Sequence, residues 1–182
     1  MEFEMEDKLP KRRPTRLKHF DYSTSGAYFV TICTRDRMQI LSEVLKTTSP
    51  SAVVGEGLAP PEYSTKLKPC GEIAKEQLSL IEARFPTVSV EAFVIMPDHI
   101  HIIFFLHEKA GGASPSPTLD DVICVFKSLT SRKCKQQQGV EKIFQRSSAE
   151  HIIRDRDDYE TRKKYICENP MRWYYKYIHP EK

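Results

Sequence analysis

Hydrophobic residues fall into two kinds of repeat along the chain. In "GAYFVTICT" (26–34) and "VSVEAFVIM" (88–96) β-branched and aromatic residues crowd into short runs, which predicts strands. "HIHIIFFL" (99–106) is a third such run, set off by Pro97 and Asp98. That pair suits a tight connection, so 88–96 and 99–106 are expected to form a hairpin. In "EIAKEQLSLIEARF" (72–85) Ile73, Leu78, Leu80, Ile81 and Phe85 recur near helical spacing, and Pro86 ends the run. "LDDVICVFKSLTSRKCK" (119–135) predicts a second helix with Val122, Ile123, Val125, Phe126 and Leu129 on its apolar side. "KIFQRSSAEHIIR" (142–154) looks extended at its ends. A last helix is expected to start near Asp155 as N-cap, run through "DDYETRKKYICEN" and stop at Pro170.

Between these elements the pattern lapses. Residues 46–71 carry prolines at 50, 60, 61 and 69 and read as an inserted, mobile segment; 107–118, rich in Gly, Ser and Pro, reads as a second loop. The order strand, helix, strand, strand, helix, strand, helix matches the split β-α-β pattern. The expected fold is α+β: a ferredoxin-like (RRM-like) antiparallel sheet with helices and an additional C-terminal helix. With 182 residues the chain suits one domain, placed at 21–182 behind a basic N-terminal arm, 1–20.

Composition narrows the classes. The net charge of +3 does not by itself demand a polyanionic partner, but "KLPKRRPTRLKH" (8–19) contains no acidic residue. Such an arm is either a solvated leader or a phosphate clamp, in which Lys11, Arg12, Arg13 and Arg16 are the candidates. The five cysteines (Cys33, Cys70, Cys124, Cys134 and Cys167) form no C-x-x-C pair, which removes zinc-ribbon and thioredoxin-type sites and fits reduced thiols. The charged N-terminus shows no signal peptide, and no apolar run approaches the roughly 20 residues that span a bilayer, so the expectation is a soluble, cytoplasmic protein without membrane partners.

Chemistry enters at "MPDHIHII" (96–103). On a strand His99 and His101 share one face, with Cα atoms roughly 7 Å apart, while Ile100, Ile102, Phe104 and Leu106 fill the other. A bare H-x-H pair reads as two half-exposed residues on a one-sided sheet unless a third ligand and a nucleophile accompany it. The last helix offers both, because Tyr165 and Asn169 lie four apart on one helical face. The Asn169 amide oxygen is a hard ligand suited to Mg²⁺ or Mn²⁺. The Tyr165 phenol can attack phosphorus and hold a phosphodiester link, or be a helix tyrosine packed on the sheet. Arg162, Lys163 and Lys164 flank it, and Lys127, Arg132, Lys133 and Lys135 give the second helix a basic side that is either solvated or nucleic-acid-binding. "MRWYYKYIH" (171–179) mixes aromatics with cations; it can stack on unpaired bases or dock on the core, the second being preferred for Trp173.

Four stretches together, "YFVTICTRDR" (28–37), "VIMPDHIHII" (94–103), "FQRSSAEHIIRD" (144–155) and "YICENP" (165–170), resemble the HUH single-tyrosine transposases, and more closely their REP-associated branch, relatives of the insertion-sequence transposases. The resemblance implies a ferredoxin-like sheet with the histidine pair on a central strand. It also implies divalent-metal-dependent cleavage and rejoining of single-stranded DNA beside short hairpin repeats (REP-like palindromes). By position, His99, His101 and Asn169 would be metal ligands and Tyr165 the nucleophile forming a 5′-phosphotyrosine. His151 and Arg154 match the "EHIIR" element and are expected near the active site or the DNA, Arg154 and Arg162 as DNA contacts. Ser147 and Ser148 stand where family members often carry an aromatic pair, which removes base-stacking surface there. The alternatives are a hairpin DNA- or RNA-binding protein without cleavage and a water-using nuclease; relatives include both dimers and monomers.

Overall fold

The structure is a computed structural model that describes residues 22–46, 62–108 and 117–180. Its strands are β1 (Gly26–Cys33), β2 (Ser42–Lys46), β3 (Tyr63–Leu67), β4 (Val88–Ile95), β5 (His99–Leu106) and β6 (Ala149–Ile153). Its helices are α1 (Pro69–Ser79), α2 (Ile81–Arg84), α3 (Leu119–Gln138) and α4 (Arg156–Trp173), the last followed by a π-helical turn, Tyr174–Ile178. β4, β5, β1 and β6 form one antiparallel sheet in that order, with β5 and β1 in the middle, as a split β-α-β fold requires.

Alternation decides what each face carries. Tyr28, Val30, Ile32, Ile100, Ile102 and Phe104 point to one side and pack with Leu78 of α1 and Val122 and Phe126 of α3, all fully or almost fully buried. Phe29 and Ile103 point to the other side and meet Ile166 of α4. The sheet is therefore covered on both faces. Burying Ile166 contributes about 1.5–3 kcal/mol to docking α4. Thr118 caps α3 through a reciprocal pair with Asp121, and Gly139 ends it at φ 68°, a left-handed position that glycine takes without strain. Asp155 caps α4 as the sequence predicts, accepting from the Asp158 N–H at 2.8 Å.

Three expectations are corrected. The segment 46–71 is not all loop: β3 lies within it, pairs with β2 as a separate ribbon, and Pro69 opens α1; residues 47–61 lie outside the described residues. The ribbon escapes sequence reading because β2 buries only Ser42 and Val44 and β3 only Tyr63, too few for a period-2 signal. The first helix starts earlier than 72, since proline at the first turn needs no N–H partner, and it breaks at Leu80. The last helix does not stop at Pro170. Interior proline costs about 3 kcal/mol or more, but Trp173 beyond it is buried with Val44 and Met96, and Tyr174 and Tyr175 pack on Tyr63 with ring centroids 5.0 and 5.7 Å away. Those contacts offset the loss.

Gly71 sits where α1 touches the chain before β2. A Cβ there would lie 1.9 Å from the Leu41 carbonyl oxygen, which also accepts from the Lys68 N–H at 2.9 Å. Gly71→Ala is expected to lower stability by about 1–3 kcal/mol, read as a fall in thermal midpoint. A wild-type midpoint would show that α1 shifts freely.

Candidate active site

β5 starts immediately after the turn at Pro97–Asp98, closed by a 2.8 Å bond from the Met96 N–H to the His99 carbonyl. Its alternation turns His99 and His101 towards α4, with ring centroids 4.5 Å apart at 72°. Both are buried, 9% and 5% exposed, so they are not half-exposed residues of a one-sided sheet. His99 Nδ1 donates to Asp98 Oδ1 at 2.5 Å, a carboxylate that can only accept, so in the neutral ring the lone pair lies on Nε2. His101 Nδ1 lies 2.9 Å from the Thr31 hydroxyl on β1. Among the described residues His101 Nε2 is buried with no hydrogen-bond partner. With Thr31 accepting from Nδ1–H, that nitrogen also presents a lone pair.

Burial, aided by the neighbouring His99 and by Arg37, pushes the His101 pKa down to about 3, so the ring is neutral. Burial alone would raise the Asp98 carboxyl, but the His99 bond and the Arg37 guanidinium, 3.4 Å away, hold it below its ordinary value. A stability consequence follows. In metal-free protein the unfolded imidazole takes up a proton near its ordinary 6.5, whereas the folded one resists down to about 3. The unfolded state binds more protons across that window, so stability falls as pH drops from 6.5 towards 3. Thermal melts in EDTA should show this fall, and His101→Gln should flatten it; an unchanged slope in the variant would remove His101 as its source.

α4 brings the other two residues. Tyr165 and Asn169 line the same cavity as the histidines, about 530 Å³ in volume. The Tyr165 ring meets His101 edge-on at 5.2 Å, and Asn169 is 5% exposed. Because the helix runs through Pro170, Asn169 keeps its helical position on the Tyr165 face. The cation over the tyrosine is Arg172, 5.5 Å from the ring centre and paired with Glu168 at 2.9 Å. The three basic residues before Tyr165 are engaged elsewhere: Arg162 with Asp158 and the Phe29 ring, Lys163 over Tyr159, Lys164 with Glu168. Arg37 and Gln39 form the opposite wall. Arg37 holds φ 55°, a left-handed conformation that costs a non-glycine residue about 1–3 kcal/mol. Bonds from the Thr34 N–H to the Asp98 carbonyl (2.8 Å) and from the Arg35 N–H to the Ile143 carbonyl (2.6 Å) pin the chain just before it.

The remaining candidates separate. Lys11, Arg12, Arg13 and Arg16 lie outside the described residues. His151 shares the sheet face of His101, but Phe29 stands between them, stacked on His101 at 5.1 Å, and His151 Nε2 is held by Asp158 at 2.7 Å. Arg154 lies at the opposite end of the sheet, beside Gly26, Phe105 and His107, away from the histidine cavity. On α3, Lys127 donates to the carbonyls of Gln145 and Arg146, Lys133 pairs with Glu76, and Lys135 with Glu141, so that side is mostly internal pairing. A larger hollow of about 800 Å³ between α3 and 144–150 contains neither histidine nor Tyr165; the smaller cavity is the candidate site because it holds the unpaired nitrogen. Among the described residues no group of three His, Cys, Asp or Glu side chains is placed to hold a metal; a further side-chain oxygen beside the two histidines in the cavity that could serve as a ligand is the amide of Asn169. All five cysteines are free, and no helix of the described residues is long and apolar enough to cross a membrane.

Comparison with known proteins gives a fold and little more. No family model matches the chain. An uncharacterised protein of Haemophilus influenzae is 27% identical over 177 residues, covering 89% of each chain. The solved structure of a REP-associated tyrosine transposase bound to a REP hairpin superposes with a TM-score of 0.56 at 21% identity, over 88% of this chain and 74% of that one. The chain thus has the fold of that transposase, in agreement with the resemblance carried by the four sequence stretches.

Proposed function

We propose that this chain cleaves and rejoins single-stranded DNA beside short hairpin repeats, with Tyr165 as the nucleophile. The observation that carries the proposal is the convergence, in one cavity, of Tyr165, Asn169, His99 and the unpaired buried Nε2 of His101. A buried polar atom without a partner asks for a reason, and a bound cation supplies one. Two imidazole nitrogens and an amide oxygen fit Mg²⁺ or Mn²⁺, with His99, His101 and Asn169 as the holding residues. Such an ion supplies Lewis-acid polarisation and orientation of the scissile phosphate.

The chain's own residues do the rest. The Tyr165 oxygen forms a bond to phosphorus as the bond to the 3′ oxygen breaks; the phenol loses its proton and the leaving oxygen gains one. One phosphodiester replaces another, so the reverse step rejoins DNA without an energy source. Arg172 over Tyr165, with Arg37 and Lys176 on the cavity walls, gives a positive field where phosphate charge must sit. The choice of a hairpin-bearing strand rests on the fold shared with a protein bound to a REP hairpin. The test is a denaturing-gel assay on end-labelled single strands taken from repeats flanking the gene, with Mn²⁺ or EDTA. A metal-dependent band surviving SDS supports the proposal. Cut DNA without an adduct would indicate a water nuclease, and binding with neither would leave hairpin recognition alone.

A further inference from the structure

The wall of the cavity formed by the end of α4 has a use that the chemistry above leaves unassigned. Trp173 is buried, 8% exposed, whereas Tyr177 beside it is 53% exposed, with ring centroids 4.3 Å apart. Both line the cavity that holds Tyr165 and the histidines, and the Trp173 ring lies 5.9 Å from His99. We propose that Tyr177, backed by Trp173, is a stacking platform for one unpaired nucleobase of the strand whose phosphate enters the cavity. This rests on the reading of the site as one for single-stranded DNA.

Three features make the ring a platform rather than a frayed end. The turn that carries it is anchored: the Tyr63 hydroxyl donates to Tyr175 Oη at 2.9 Å, Tyr174 packs on Tyr63, and the His179 N–H closes on the Tyr174 carbonyl at 2.8 Å. The turn is π-helical, a rare conformation frequent at functional sites. Its cations suit a nucleotide: the Lys176 ammonium lies over the Tyr177 ring, 4.9 Å from its centre, where an incoming base displaces it towards its own phosphates, and Arg172 lies one turn back. Every base has a π-face, so the platform tolerates sequence, but it excludes duplex, whose bases are already stacked.

The test uses the full chain in a Tyr165→Phe background, so that binding is read without cleavage. The probes are a twelve-nucleotide oligothymidine, the same oligonucleotide with one abasic position moved along it, and a duplex control. Binding is followed by anisotropy and by emission of Trp173, the single tryptophan. Tyr177→Ala is expected to weaken single-strand binding about 5- to 100-fold, Tyr177→Phe to retain it, and duplex binding to stay unchanged. One abasic position should weaken binding to the Tyr177-bearing protein and cost nothing further in Tyr177→Ala. Equal affinities and identical abasic profiles for the two proteins overturn the platform, as does a failure of the Tyr177-bearing protein to bind any of the single strands. The adduct assay on wild type separates the two readings. An adduct with no Tyr177 effect removes the platform alone; a Tyr177 effect with no adduct removes the strand-transfer chemistry alone.

Discussion

Tyr165→Phe is expected to bind hairpin-bearing single strands as wild type does and to form no covalent adduct, with strand cleavage lowered by on the order of 10⁴- to 10⁶-fold. The substitution removes one oxygen and little else. The ring keeps its edge contacts with His101 at 5.2 Å and Phe29 at 6.0 Å, and Arg172 still lies over its face at 5.5 Å. Folding should therefore be preserved, and a thermal midpoint near wild type is the control. No other tyrosine takes over: Tyr177, which also lines this cavity, stands next to Trp173 rather than His101, and the Thr31 hydroxyl is engaged with His101 Nδ1. If the variant cuts at the wild-type rate, the nucleophile is water and Tyr165 is a packing residue on the sheet. Quantified denaturing gels over a time course, with protein in excess of DNA, decide between the two.

The parts of this site that were legible in the sequence are those set by local periodicity. His99 and His101 share a face because strands alternate, and Tyr165 and Asn169 share one because helices repeat; neither inference needs the fold. The ligand-orienting partners were not legible. Thr31 meets His101 only because β1 and β5 pair in one register, and strand register across 70 residues leaves no mark in the sequence. Asp98 was in plain view beside His99, but the Pro-Asp pair reads equally well as a turn, and the turn occurs as well. The cation over the tyrosine was hidden by one mistaken boundary. Arg172 lies seven residues after Tyr165, two turns along the same face; ending the helix at Pro170 left 171–179 as a segment that could stack on bases or dock on the core, without placing Arg172 over the Tyr165 ring. The basic residues that looked adjacent, 162–164, are engaged by other partners: Arg162 by Asp158 and the Phe29 ring of β1, Lys163 by Tyr159 and Lys164 by Glu168. Local rules thus put the candidate residues on shared faces, while the contact of Thr31 with His101 and the meeting of the strand with α4 came from tertiary packing.

Asp98→Asn is expected to cost about 10- to 100-fold in Mn²⁺ affinity, measured by calorimetry or by the loss of free-ion signal in paramagnetic resonance. The carboxylate has two engaged oxygens: Oδ1 accepts from His99 Nδ1 and Oδ2 faces Arg37 Nη1 at 3.4 Å. Its backbone carbonyl is fixed separately, accepting from the Thr34 N–H at 2.8 Å and the Thr34 hydroxyl at 2.9 Å. An asparagine therefore stays in place but can satisfy only one neighbour. With its oxygen towards His99 the amide NH₂ confronts the Arg37 guanidinium, donor against donor. With its oxygen towards Arg37 the NH₂ faces Nδ1, which must then accept, and the His99 proton moves to Nε2. That tautomer has no lone pair left on the nitrogen a ligand must use. The pairing with Arg37 favours the second arrangement, because a charged donor competes better for the single oxygen. Nitrogen-15 shifts of the His99 ring in metal-free protein read the tautomer directly, independently of any activity. A protonated Nε2 in the variant together with weakened Mn²⁺ binding would establish that Asp98 sets the histidine for its role. An unchanged tautomer with unchanged affinity would reduce the 2.5 Å bond to a turn contact and leave burial and the Thr31 contact of His101 to hold the pair in register.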